Sequence, residues 1–449
     1  MKLKLTLVAL LLGAALPLAA VAPAVALPSQ YPAGWVLQPG GLRVIALSVD
    51  TRGLCKGPSG TVYEVALGHT TDSYAAVEQV RLSDGTTARW WTYPATPGPD
   101  VIPRAAASDG AGGLYLAVET LTGAEDWVVL RYDKDGKLLW KRRYDSGNGQ
   151  DTPYALAVDH KGAVIVTGTS EDAGGYDGAV VKWSATGRLR WKRSVSAAGL
   201  DLIDTVAVDA HDDVYAAGQT GESAGVGTAV LRSWTPGGRR RWSATVADPG
   251  ASPAWRFLAV RGSAVTVAGQ STGGLSTNGF MAMRYTTGGK RAWVGPRTLE
   301  FANGAWVNGL AVDRQGAAVV VGTAWQAGAA AQDAGAVWKL RADGGTAWSR
   351  TFTAPVWPHD GEFDAVATDG AGRVYAAGGQ YVTAGAGDLL LVRYSAGGAE
   401  QALWRATGPE SGYCSFSNVL VLGDARVIAA GQVAGSSGDA AIYRAQTTP

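Results

Sequence analysis

Tyr154-Ala-Leu-Ala-Val158, Asp159-His-Lys-Gly162, Val164-Ile-Val-Thr-Gly168, Ala179-Val-Val-Lys-Trp183 and Leu189-Arg-Trp-Lys-Arg193 follow one another within forty residues. They read as four short strands separated by turns. The first three strands are nearly continuous apolar runs, as expected when both faces of a sheet are covered, whereas the fourth alternates large apolar residues with cations and leaves one face wet. Asp159 to Gly162 and Ala185-Thr-Gly187 supply the turn residues between them. This unit is therefore a small antiparallel sheet with its last strand outermost.

Working outward, the unit recurs. Val206-Ala-Val-Asp209 precedes Val214-Tyr-Ala-Ala-Gly218, Leu310-Ala-Val-Asp313 precedes Val319-Val-Val-Gly322, and Val366-Ala-Thr-Asp369 precedes Val374-Tyr-Ala-Ala-Gly378. Tryptophan marks the period: Trp90, Trp140, Trp191, Trp242, Trp293, Trp348 and Trp404 are spaced by 50, 51, 51, 51, 55 and 56 residues, the length of one four-stranded blade with its turns. After Trp404 come Val419-Leu-Val-Leu422, Val427-Ile-Ala-Ala-Gly431 and Ala440-Ala-Ile-Tyr443, three strands without a fourth. Gly34-Trp35-Val-Leu-Gln38 carries the missing tryptophan, 55 residues before Trp90. The expected fold is thus all-β: an eight-bladed β-propeller of four-stranded blades, its ring closed by the N-terminal strand completing the last blade, which would remove open sheet edges.

Lys2 and Lys4, the apolar run Leu5 to Leu12 and Ala24-Val25-Ala26 form a secretory signal with its cleavage site. We expect residues 1–26 to be removed, residues 27–449 to fold as a single domain, and the product to be secreted, either extracellular or periplasmic. No later stretch suits a membrane span or anchor. With 39 basic and 38 acidic residues the net charge is +1, so no global field would draw nucleic acid. The basic run Arg239-Arg240-Arg241 reads as a solvated strand edge. Only 4 His and 2 Cys make structural zinc, haem and iron–sulfur sites improbable, and neither a metal nor a cofactor is expected.

The pattern Asp-x-x-Gly-x-Val-x-Val-x-Gly, then Asp-x-x-Val-x-Lys, then Gly-x-x-x-Trp resembles the SBBP-type β-propeller repeats of bacterial secreted proteins. Tyr132-Asp-Lys-Asp-Gly-Lys-Leu-Leu-Trp140 is similar to the tryptophan-docking motif of eight-bladed quinoprotein-like propellers. That resemblance implies that Trp35, Trp90, Trp140, Trp191, Trp242, Trp293, Trp348 and Trp404 pack between adjacent blades. The adjacent-cysteine pair usual at the quinone site of such dehydrogenases is missing, which argues against that cofactor.

The recurrent Asp109, Asp159, Asp209, Asp313 and Asp369 each open an Asp-x-x-Gly turn, where the carboxylate can accept backbone N–H bonds. A second set, Asp72, Asp126, Asp177, Asp333, Asp388 and Asp439, begins or precedes third strands and reads as loop capping rather than calcium ligation. Gly221-Glu-Ser223-Ala-Gly225 matches a nucleophile-elbow pattern but falls between strands. Cys55 and Cys414 lie on blades that a closed ring makes neighbours, and the two cysteines of a secreted chain are expected to form a disulfide, with two separate buried thiols as the alternative because the residues are about six strand positions out of register.

The residue just before each innermost strand is placed at one mouth of the central channel: Arg52, Arg104, Tyr154, Asp204, Arg256, Asn308, Asp364 and Asn418. These can donate or accept hydrogen bonds where their neighbours are small and apolar. Trp255, Trp306, Trp357, His359, Asp360 and Glu362 add an aromatic and acidic rim suited to stacking and hydrogen bonding. The expected function is non-catalytic recognition or scaffolding, with a glycan, polymer or protein held at one face of the channel by a monomeric propeller. The alternative is a hydrolase or lyase using Asp204, Asp364 and Glu362 as its acid/base group. Fold alone does not separate these.

Overall fold

The computed structural model describes residues 35–39, 45–46 and most of 51–447, with short stretches left out between strands. The signal segment falls outside the described residues. All described regular structure is β, in 33 strands. Six repeat units fold into four-stranded antiparallel sheets, as their pattern requires. In the third, Asp151–Val158, Val164–Asp172, Gly175–Trp183 and Leu189–Val195 pair antiparallel in sequence order.

The turn aspartates act as the sequence suggests. Oδ1 of Asp109, Asp159, Asp209, Asp313 and Asp369 accepts the backbone N–H groups two and four residues on, at 2.8–3.0 Å. In two units the other oxygen meets a buried lysine from the third strand: Lys182 lies 2.7 Å from Asp159 and Lys339 lies 3.1 Å from Asp313. This explains the Asp-x-x-Val-x-Lys pattern, because a turn carboxylate buried beside that strand needs a cation. Asp126, Asp177 and Asp388 of the second set bond across to the outer strand, at Arg143, Ser194 and Arg405. Ser223 and Val226 pair across a tight Ala224-Gly225 turn with positive φ at both residues, so Gly221 to Gly225 is a hairpin and not an elbow leading into a helix.

The tryptophans dock between sheets. Trp140, Trp191, Trp242, Trp293 and Trp348 each donate the indole N–H to a carbonyl in the turn of the following unit at 2.9–3.0 Å. A glycine of that turn lies against the ring. The glycine and tryptophan of Gly-x-x-x-Trp therefore serve two different junctions. The first unit departs from this: Trp90 is 40% exposed, and Trp91 packs beside Gly136. Arg89 occupies the register held elsewhere by the docking tryptophan and donates to the carbonyl of Asp135 at 2.7 Å, so Trp-x-Arg has become Arg-x-Trp. Trp404 is buried two residues beyond the usual register, which Ala402 takes.

The expected count of eight blades is corrected. The strands form seven blades, six of four strands and one of nine. The last three strands, Cys414–Val421, Val427–Ala434 and Asp439–Thr447, do not stand apart; Ser415 pairs with Gly379 and joins them to the sheet of His359–Thr368 through Glu400–Ser411. The junction lies at one residue pair. In three other units the corresponding position of the second strand carries a side chain that reaches the next sheet: Glu119 accepts the Thr152 hydroxyl at 2.9 Å, Gln219 bonds Ser252, and Gln270 accepts the Val307 N–H at 3.4 Å. Gly379 has no side chain, and a Cβ there would overlap the Cys414 carbonyl, so backbone meets backbone.

Closure of the ring by hydrogen bonding is not observed. Trp35–Pro39 runs antiparallel to Asp439–Thr447, Trp35 opposite Thr447, and extends the edge of the nine-stranded sheet. Among the described residues no ladder joins that sheet to the first one. Their seam is instead filled by Val62, Val80, Leu422 and Ile428, with Leu54, Leu82 and Leu420 packed beside them.

No disulfide joins Cys55 and Cys414. Cys55 lies three residues after the register slip at Arg52, near the turn end of its strand, whereas Cys414 lies three residues before the slip at Ser417. They occupy opposite ends of the channel wall and belong to separate apolar clusters. Burial pushes the Cys55 thiol up to about 12.

Candidate functional site

In every innermost strand the pairing slips by one residue. The slip falls at Arg52, Arg104, Tyr154, Asp204 with Ile203, Arg256, Asn308 and Asp364, and in the last strand at Phe416 and Ser417. Seven of the eight residues read from the sequence therefore sit at β-bulges, which re-aim a side chain out of the regular alternation. They lie within the strands and not ahead of them, so they line the channel wall rather than its lip. Asn418 is the exception: it pairs regularly with Ala430. The terminal glycine of the Val-x-Val-x-Gly pattern makes room for the bulge. A Cβ at Gly168, Gly218, Gly269, Gly322, Gly378 or Gly431 would overlap a carbonyl oxygen of the bulged strand.

These side chains bond mainly to one another across sheets. Arg104 pairs with the buried carboxylate of Glu119, which also accepts from Thr152 of the next sheet. Arg256 Nη1 lies 2.9 Å from Asp204 Oδ1. Asn308 donates to Asp364 Oδ1 and to the Phe363 carbonyl, each at 3.2 Å, and the Ser415 hydroxyl donates to the same carboxylate. Burial raises the Asp204 carboxyl despite the Arg256 bond that lowers it, and its Oδ2 is buried without a hydrogen-bond partner. Burial likewise raises the Tyr154 phenol, which bonds Thr169. The side chain of Arg52 lies outside the described residues.

The rim residues separate. Trp255 is fully buried in the core, because its strand position turns it between sheets. Trp306 is 41% exposed and stands edge-on to Trp325, ring centroids 6.2 Å apart. Glu362 is half-buried opposite Gly379. Trp357 and the side chains of His359 and Asp360 lie outside the described residues. The sequence reading missed Glu119 and Trp325; the first was marked by a lone carboxylate ending the apolar run Leu114-Tyr-Leu-Ala-Val-Glu119.

Asp126, Asp145 and Asp151 bring three carboxylates within 4.8 Å of one another. Arg143 already lies between two of them, bonded to Asp126 and 3.2 Å from Asp145. The cluster is a loop junction in which Arg143 offsets part of the charge and Asp151 accepts the backbone N–H groups of Ser146 and Glu171.

The whole-chain geometry matches solved propellers. A quinohemoprotein alcohol dehydrogenase from Pseudomonas putida HK5 superposes with a TM-score of 0.56 at 11% identity, over 90% of this chain and 76% of that one. Sqt1 from Chaetomium thermophilum gives 0.54 at 11% identity, over 89% and 99%. A europium-containing methanol dehydrogenase gives 0.50 at 12% identity, over 90% and 93%. This chain is an all-β propeller. At such identities the likeness is one of fold alone, shared by dehydrogenases and by other proteins. No family model matches the chain. An uncharacterized WD repeat-containing protein of Acanthamoeba polyphaga mimivirus is 26% identical over 149 residues, spanning 28% of this chain and 11% of that relative's length. Among the described residues no helix is long and apolar enough to cross a membrane.

Proposed function

We propose that this propeller is a secreted, non-catalytic recognition or scaffold protein that holds a glycan, polymer or protein at the face where Trp306 opens. The observation that carries this reading is the mutual engagement of the channel-wall polar groups. Glu119, Asp204 and Asp364 each meet a partner from a neighbouring sheet, which makes them joints of the ring and leaves the acid/base reading of Asp204, Asp364 and Glu362 without a convergent group. What faces outward near them is aromatic. The Trp306 and Trp325 rings present an apolar face beside polar atoms, the combination used for sugar stacking and protein contacts alike.

Secretion rests on the leader read in residues 1–26 and on the likeness of the repeats to SBBP-type secreted propellers. The ligand class is tested by probing the purified protein on a glycan and polymer array, with quenching of tryptophan fluorescence as the solution check. Saturable binding to one class supports the proposal. Substrate turnover without such binding contradicts it.

A further inference from the structure

The opposite end of the channel carries different chemistry. A cavity of about 420 Å³ opens there, within the range of small-molecule sites. Its walls are the turns between first and second strands of five repeat units, including Lys56, Arg261, Arg314, Asp369, Arg373 and Leu422. Only the centre of the ring lies close to turns of both the first and the fifth unit. Val312, at the far end of the strand that begins at Ala305 and carries Trp306, also lines it.

The charge balance at this end follows from the repeat. Five units keep the turn aspartate, at 109, 159, 209, 313 and 369, and three lack it. Gly57, Arg261 and Leu422 stand in its place, and the three units without it all line this cavity, one of them through Lys56 beside Gly57. Asp369, the only carboxylate among the described wall residues, is held by Arg373, Tyr375 and two backbone N–H groups. Lys56, Arg261 and Arg314 have no carboxylate within ion-pair distance among the described residues. Three cations without a carboxylate partner thus share the wall with one ion pair, Asp369 and Arg373.

We infer that this turn-side cavity binds a small oxyanion carrying two or more negative charges, a polycarboxylate or a phosphate ester. Arginine suits both, since its planar fork meets carboxylate and phosphate oxygens in pairs. The site is independent of the aromatic face and needs no partner there.

Calorimetric titration of the intact chain at low salt with citrate and, separately, with pyrophosphate tests this. One-to-one saturable binding of either probe is expected, weakened at least tenfold in Arg314→Ala and in Arg261→Ala, with far-UV circular dichroism confirming that each variant folds. Lys161→Ala, a cation on the turn of another unit, should bind as the unaltered protein does. Citrate binding alone assigns the carboxylate class, and pyrophosphate binding alone the phosphate class. Absence of saturable binding by both probes overturns the inference. So does equal binding in the arginine variants, or equal weakening in Lys161→Ala, which would mark diffuse charge attraction.

Discussion

Gly238 lies against the indole of Trp191: a Cβ built on that glycine would stand 2.6 Å from the ring's Cγ, and the glycine's φ of +84° is one that side chains rarely adopt. The same indole donates to the Pro236 carbonyl at 3.0 Å. One sheet's outer strand is thereby fixed to the next sheet's turn. Trp191→Ala should cost about 3–5 kcal/mol by denaturant titration, through lost burial and a residual cavity. A loss below about 1 kcal/mol would place Trp191 outside the junction.

The first unit gives a sharper version of the test. Trp91, not its neighbour, packs on Gly136, while Trp90 is 40% exposed. Trp91→Ala should therefore destabilise by roughly 3 kcal/mol or more, and Trp90→Ala by less than about 1 kcal/mol. The reverse order under urea titration would restore Trp90 as the docking residue.

Why the sequence misplaced this tryptophan shows what a repeat pattern can tell. Spacing located Trp140, Trp191, Trp242, Trp293 and Trp348 because one docking geometry recurs every fifty residues or so. It could not choose between Trp90 and Trp91, since that depends on the register of the preceding hairpin. The bulged channel residues were legible because a polar side chain interrupts small apolar neighbours, in most units opposite a glycine. Their mutual pairing was not, because it depends on which sheets become neighbours. The last strands join the seventh sheet where Gly379, which has no side chain, meets Ser415, and a count of periods does not register that.

Asp204 makes stability depend on pH in a definite direction. Burial raises its folded pKa above the ordinary 3.8, so the folded state holds the proton more tightly than the unfolded state. The contribution is fully present below pH 3.8 and is lost as pH rises through the raised folded value. Asp204→Asn removes this titration. The stability difference, unaltered protein minus variant, should fall as pH is raised from about 4 to 7. A difference that rises over that range would mean that the Arg256 contact outweighs burial.

The two cysteines should behave as thiols. Burial holds the Cys55 thiol up to about 12, and Cys414 is fully buried, so neither presents a reactive thiolate at neutral pH. Mass spectrometry of non-reduced protein should show no alkylation when folded and two alkylated residues after denaturation. A species two mass units lighter that resists alkylation would reveal a bridge between them.

The central claim is that the channel-wall carboxylates hold the ring together while the exposed aromatics hold the ligand. Binding of the strongest array ligand is therefore to be measured by fluorescence titration for the unaltered protein, Trp306→Ala and Asp204→Asn, with product formation followed in the same samples. Trp306→Ala should weaken binding at least tenfold, Asp204→Asn should leave it within about twofold, and no product should appear. Binding that survives Trp306→Ala, or turnover that disappears in Asp204→Asn, would contradict the account.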